Sequence, residues 1–267
     1  DYNLSDKHKV ALRYSHLNSF RDVLVSGSSS LGFGNRSGAN SLSFQNSNYI
    51  QNENIRSFIA EVNSVFGSKI SNKFSVGYTY QNEDRGSRGD FFPLVEIQRN
   101  GQTYISTGFE PFTPANKLSY KTFQLQDNLS IFLNKHTITT GLNVERLEFE
   151  NVFFPGSQGV FVYNSLDNFL TDLSDFKANP NRTVSPVSLR RFQYRYANGS
   201  LDLPINEELG VPEPIQPTKV WYGGLYLQDE WEATDNFNLT IGLRADIPFF
   251  DETGFENDAV LGMNFKD

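Results

Sequence analysis

Apolar and polar residues alternate along most of this chain, and a period of two marks β-strands with one face in an apolar environment. In residues 9–18, Val10, Leu12 and Tyr14 share one face, and Ala11, Arg13 and Ser15 the other. Residues 57–66 set Phe58, Ala60, Val62 and Phe66 on one side. In residues 73–81, Phe74, Val76, Tyr78 and Tyr80 oppose Ser75, Gly77, Thr79 and Gln81. Residues 122–133 alternate Phe123, Leu125, Leu129, Ile131 and Leu133 with Gln124, Gln126, Asn128 and Ser130, and Asp127 intrudes on the apolar side. Residues 136–149 set Ile138, Leu142 and Val144 against Thr137, Thr139, Gly141, Asn143 and Glu145. In residues 221–231 the pattern is mixed: Leu225 and Leu227 share a face with Asp229, and Tyr222 and Tyr226 share one with Gln228. Residues 237–246 are the cleanest, with Phe237, Leu239, Ile241 and Leu243 against Asn238, Thr240, Gly242, Arg244 and Asp246. An eighth strand is expected to begin near Ala259.

Short and long connections alternate strictly between these strands. Residues 67–73, 134–137 and 232–236 form tight turns, whereas about 19–55, 82–121 and 150–219 are long. Long loops are rare in compact domains. Transmembrane β-barrels are the main exception, with short periplasmic turns and long extracellular loops. The fold expected is therefore all-β, an antiparallel transmembrane β-barrel segment of about seven or eight strands. The non-apolar faces carry Gly, Ser, Thr, Asn and Gln, without the Lys/Glu dressing of a soluble exterior. The competing reading is a soluble or surface-attached β-sandwich that binds glycans through exposed aromatics and Asn-rich loops, with Phe74, Val76, Tyr78 and Tyr80 in its core. Phe66, Phe74, Phe132, Phe149, Trp231 and Phe237 stand near strand ends, where interfacial aromatic girdles are expected. Asp127 calls for a bulge that shifts the register, or for a strand end above the membrane.

The longest loop carries one short helix. Ser165 can cap it, and Leu166, Phe169, Leu170 and Leu173 recur at helical spacing. Residues 204–217, with four prolines, read as an extended arm.

Composition narrows the function classes. With 24 Phe, 12 Tyr and 38% hydrophobic residues the chain is too aromatic for disorder. No Cys is present, which excludes disulfide scaffolds and thiolate metal sites. A net charge of −8 argues against nucleic acid as a partner. No run of 18 apolar residues exists to form a transmembrane helix. The chain opens Asp1-Tyr2-Asn3 and closes Lys266-Asp267, so an internal segment of a longer protein is expected.

Two stretches point to a family. Gly224-Leu-Tyr-Leu-Gln-Asp-Glu-Trp231, a turn, and Asn238-Leu-Thr-Ile-Gly-Leu-Arg-Ala-Asp246 resemble the barrel signature of TonB-dependent outer-membrane receptors. So does Ile70-Ser-Asn-Lys-Phe-Ser-Val-Gly-Tyr-Thr-Tyr80. Leu166-Asp-Asn-Phe-Leu170 and Phe154-Pro155 are similar to the large Bacteroidetes-type receptors with a carboxypeptidase-regulatory-like domain, the Oar-like branch. The resemblance implies that residues 1–267 belong to one receptor barrel of about 22 strands. It also implies a plug domain and a TonB-engaging box elsewhere in the parent chain. The implied partners are outer-membrane lipid, the plug and remaining strands of the same chain, TonB through the N-terminal region, and a scarce nutrient. A passive porin would carry the same strands without a plug.

Catalytic signatures are lacking, and no enzyme activity or cofactor is expected. His8, His16 and His136 are scattered, with solvated positions expected for His8 and His136 at strand starts, and no metal-ligand spacing occurs. Gly32-Phe-Gly34 and Gly38 miss the dinucleotide spacing and read as a flexible loop. Arg88-Gly89-Asp90 spells an adhesion tripeptide in a loop rich in Gly and charge, where chance is the plainer source. What remains is binding surface, for which loop aromatics and arginines are suited. The candidates fall in two groups: Arg85, Arg88, Phe91, Phe92 and Tyr104, and Arg190, Arg191, Tyr194 and Tyr196. The alternative is that these residues pack the loops against one another.

Overall fold

The alternating segments become long antiparallel strands, because each strand's polar backbone is satisfied only by its neighbours. The computed structural model describes residues 1–196, 205–206 and 211–252. In chain order the elements are β1 (Tyr2–Ser5), β2 (His8–Val23), β3 (Leu42–Ser43), β4 (Tyr49–Phe66), β5 (Ile70–Ser87), β6 (Leu94–Arg99), β7 (Gln102–Thr107), β8 (Asn116–Leu133), β9 (His136–Phe153), β10 (Val160–Tyr163), α1 (Leu166–Ala178), β11 (Arg191–Gln193), β12 (Ile205–Asn206), β13 (Val211–Pro212), β14 (Gln216–Thr234) and β15 (Phe237–Glu252).

Among the described residues, eight strands form one antiparallel sheet in the order β1-β2-β4-β5-β8-β9-β14-β15. With the loop elements set aside, this is an up-and-down meander. The sheet is open, with β1 and β15 at its edges. Residues 6–7, 67–69, 134–135 and 235–236 turn at one end, and the three long loops leave from the other. Gly67 and Asn134 adopt positive φ in these turns, a conformation most side chains avoid.

Directly opposed residues share a face, so the register sorts the sheet into rows. One apolar row runs Leu12, Ala60, Val76, Leu125, Val144, Gly223 and Ile247. The next toward the loops runs Tyr14, Phe58, Tyr78, Phe123, Arg146, Trp221 and Phe249. Among the described residues no second layer covers this face, and Leu12, Ile241 and Leu243 stand 64%, 63% and 80% exposed. Tyr78, at 46%, is not in a protein core, as the sandwich reading required.

Several expectations need correction. Phe66, Trp231 and Phe237 stand at the short-turn ends of their strands, as expected, whereas the aromatic row from Tyr14 to Phe249 lies well inside the strands. Phe132 pairs with Thr137 and Phe149 with Tyr120, on the polar face, because their parity opposes that of Phe123 and Leu142. Phe74 sits in mid-band beside Asp127. Asp127 needs neither a bulge nor a raised strand end: the register runs unbroken through it, and Asn72 Nδ2 donates to its carboxylate at 2.7 Å. His8 and His136 are partnered at the strand starts, with Ser64 at 2.8 Å and Asp229 at 2.7 Å. The strands run further toward the loops than alternation marks, because segments such as Gln51-Asn-Glu-Asn54 are polar on both faces. The expected strand near Ala259 lies outside the described residues.

The long loops are not coil. Strands from all three build a second sheet in the order β11-β10-β6-β7-β3, which forms a cap beyond the wall. Its central strand β6 buries both faces: Leu94 joins Phe33, Phe112, Val160 and Val162, while Val95 and Ile97 join Tyr163. Helix α1 starts as expected, with Ser165 Oγ accepting from the Asn168 N–H at 3.1 Å. It packs Phe169 edge-on against Tyr163, with ring centres 5.3 Å apart. Of the proline-rich arm, Ile205–Asn206 and Val211–Pro212 pair antiparallel.

Candidate functional site

The polar face of the wall is cross-linked through positions where glycine makes room. Arg244 Nη2 donates to Asn143 Oδ1 at 3.1 Å across β14, and Arg244 Nε donates to the Asp246 carboxylate at 2.9 Å. The path crosses Gly224, where a Cβ would lie 2.2 Å from Asn143 Oδ1 and 2.6 Å from Asp246 Oδ1. One row below, the Tyr226 ring lies over Gly141 and its hydroxyl donates to Asn128.

Where this face meets the cap, a cleft of about 410 Å³ opens. Tyr49, Arg85, Asn116 and Phe153 line it from the tops of β4, β5, β8 and β9, all by their parity on the polar face. The first loop contributes Ser26, Ser28, Ser30 and Leu31, and the second Phe112. Arg85 lies over the Tyr49 ring, 4.9 Å from its centre, and Phe112 stacks on Phe153 at 6.2 Å with 8° between planes. The site thus offers two aromatic platforms, a guanidinium, an amide and three hydroxyls. This set suits a ring-bearing polar ligand held without covalent chemistry.

Beneath the cap lies a buried charge cluster that ties the first loop to the second. Arg36, 1% exposed, pairs with Glu96 at 3.1 Å and approaches Glu110 at 3.9 Å. It also donates to the Gly34 carbonyl at 2.6 Å and the Ser28 carbonyl at 3.1 Å, and its guanidinium lies 5.8 Å from the Phe33 and Phe112 ring centres. Burial pushes the Glu110 carboxyl above the usual glutamate range, against the Phe112 N–H, Arg36 and Thr113. The glycine segment is therefore packed and not flexible: the Gly34 N–H donates to Glu96 at 3.2 Å, and a Cβ there would meet Thr103 Oγ1 at 2.0 Å. Helix α1 is held by a second cluster, in which Arg182 reaches Asp172 and Asp175 at 2.6 Å each. Burial alone would raise Asp172, but hydrogen bonds from Ser185, Tyr163 and Arg182 outweigh it and hold that carboxyl low.

An open wall with a bare apolar face, a polar face and a cap at the long-loop end is the geometry of a membrane barrel. A family model for an outer membrane beta barrel domain matches residues 1–257. The chain belongs to that family. No curated protein and no solved structure matches it.

As an outer-membrane barrel wall, the chain locates in the bacterial outer membrane, with its apolar band against lipid. The binding residues expected from sequence do not converge on one site. Arg85 alone lines the mouth cleft. Arg88 pairs with Asp22 of β2, which ties the Arg-Gly-Asp segment to the wall. Phe91 packs edge-on against buried Phe109 at 5.4 Å, and Phe92 is half-exposed. Tyr104 stacks under Arg99, 3.8 Å from its guanidinium, in a separate surface hollow of about 500 Å³. Arg190 bonds through its backbone N–H to Val162, and Arg191 lies over Phe33 at 5.6 Å. Tyr194 and Tyr196 stack on each other at the surface. Sequence reasoning missed Tyr49, Phe112, Asn116 and Phe153, since only strand register and cap folding unite them. No local spacing signals that meeting.

Proposed function

We propose that residues 1–267 are a stretch of barrel wall and external cap from a TonB-dependent receptor that captures and imports a scarce nutrient. The observation that carries this reading is the mouth cleft. The first two long loops line a site of aromatic, guanidinium and hydroxyl groups at the top of the polar face, under a cap that all three loops build. The wall and loops bind and guide the ligand and do no covalent chemistry. The edges at β1 and β15 call for further strands of the same longer chain, since an unpaired edge in hydrocarbon leaves backbone groups unsatisfied. The plug of that chain would fill the lumen, and its N-terminal region would engage TonB, coupling import to the inner-membrane proton-motive force.

A passive porin has the same wall and no plug, and the test separates the two. The full-length protein, purified in detergent, is passed over an immobilised periplasmic domain of TonB. Retention is expected of the energised receptor. Failure to bind, in protein that keeps its heat-modifiable gel mobility, would overturn it.

A further inference from the structure

We infer that the cap carries a second binding site, between the first loop and the β6–β7 hairpin, that takes an uncharged oligosaccharide. The hairpin turns on Asn100-Gly101, both at positive φ, which sets Gln98 opposite Thr103 and Arg99 opposite Gln102. Against it lies the first-loop segment 38–42, closed on itself by Ser41 Oγ, which donates to the Gly38 carbonyl at 2.8 Å. The segment is fastened to the hairpin just beyond, where Ser43 Oγ and Ser106 Oγ stand 2.7 Å apart. Between these walls open two hollows of about 500 and 340 Å³, which share Asn40, Ser41, Gln102 and Thr103. Both volumes fall in the range of small-molecule sites, about 300–1,000 Å³. Neither hollow shares a lining residue with the mouth cleft.

The lining selects the ligand class. Asn40, Gln98, Asn100 and Gln102 contribute four amide side chains, and none of them is hydrogen-bonded among the described residues. Each amide offers donors and an acceptor side by side, the complement of two neighbouring sugar hydroxyls. Gln98 and Thr103 are 8% and 6% exposed, and Gln98 Oε1 and Thr103 Oγ1 have no hydrogen-bond partner among the described residues. Orphaned polar atoms in the floor of a hollow are satisfied when a ligand hydroxyl, or a water that the ligand traps, completes the site. Tyr104 adds a ring for the C–H face of a sugar, held in place by the Arg99 guanidinium at 3.8 Å. Among the described lining residues Arg99 is the one charge, and the Glu96 carboxylate of the same hairpin is committed to Arg36 and the Gly34 N–H. The walls are fixed before binding, because β6 is buried on both faces and the Arg36 cluster ties the two loops together. The inference goes beyond the import reading and holds for receptor and porin alike, because it needs only the cap.

The test applies the full-length protein, in the sugar-free detergent lauryldimethylamine oxide, to an array of neutral oligosaccharides of glucose, galactose, mannose and N-acetylglucosamine. At least one member should retain the protein. The best-retained oligosaccharide, carrying a diazirine, should on illumination label residues 35–42 or 98–104, a readout that needs no variant. Asn40→Ala, Gln102→Ala and Tyr104→Ala together should weaken its binding roughly tenfold or more, in protein that keeps its heat-modifiable gel mobility. A tryptic digest of casein should not compete. Retention by no member of the array, labelling confined to the mouth cleft, undiminished binding by the variant, or competition by the casein peptides would each overturn the proposal.

Discussion

Single residues on the polar face decide how closely neighbouring strands can be bridged. Arg244 reaches Asn143 only because Gly224 presents no side chain between them. Gly224→Val would drive a Cβ into Asn143 and Asp246, and overpacking of this kind costs about 1–3 kcal/mol. We expect the full-length variant to lose its heat-modifiable gel band at a lower temperature than the wild type. An unchanged transition would mean that the bridge is not formed. Parity at this scale was legible in the sequence: Asn238, Thr240, Arg244 and Asp246 fall opposite Leu239, Ile241 and Leu243, as alternation requires. Asp127 was legible as an anomaly but not as a solution, since its partner Asn72 lies 55 residues away and only register brings it near.

The cap is the element that sequence reading missed, and the reason is physical. Strand β6 buries both faces, so Leu94-Val-Glu-Ile97 shows no alternation, and its buried Glu96 reads as a surface residue. The partner strands β3 and β11 have two and three residues, too short for any periodicity. Helix α1 was legible because its cap and spacing are local. The cap's weak point is the Arg36 cluster. Arg36→Met would leave Glu96 buried without its cation, and removing one partner of a buried pair costs about 3–5 kcal/mol. The pH response should follow Glu110. Its carboxyl is raised on folding, so its contribution favours the folded cap below the ordinary value of 4.5 and is lost as pH rises through the raised value. Limited proteolysis of the full-length protein should therefore cut the loops faster at neutral than at mildly acidic pH. Glu110→Gln should flatten that difference while Arg36→Met is cut at both; a pH response unchanged in Glu110→Gln would contradict the assignment.

For the molecule as a whole, the wall is a membrane surface turned outward, with its chemistry on the other side. Eight strands, an uncovered apolar face and loops gathered at one end carry that conclusion, together with the family match over residues 1–257. The alternation of short and long connections made the architecture legible without any structure. The cleft was not legible, because it draws its lining from four strands and two loops. The most direct measurement is a single-cysteine scan of β15 in the full-length protein with its lumen opened to solvent. A water-soluble thiol reagent should modify cysteines at Thr240 and Arg244 and spare those at Ile241 and Leu243, with a lipid-soluble reagent giving the reverse. Equal labelling on both faces, or water access at Ile241 and Leu243, would contradict a wall whose apolar face meets lipid.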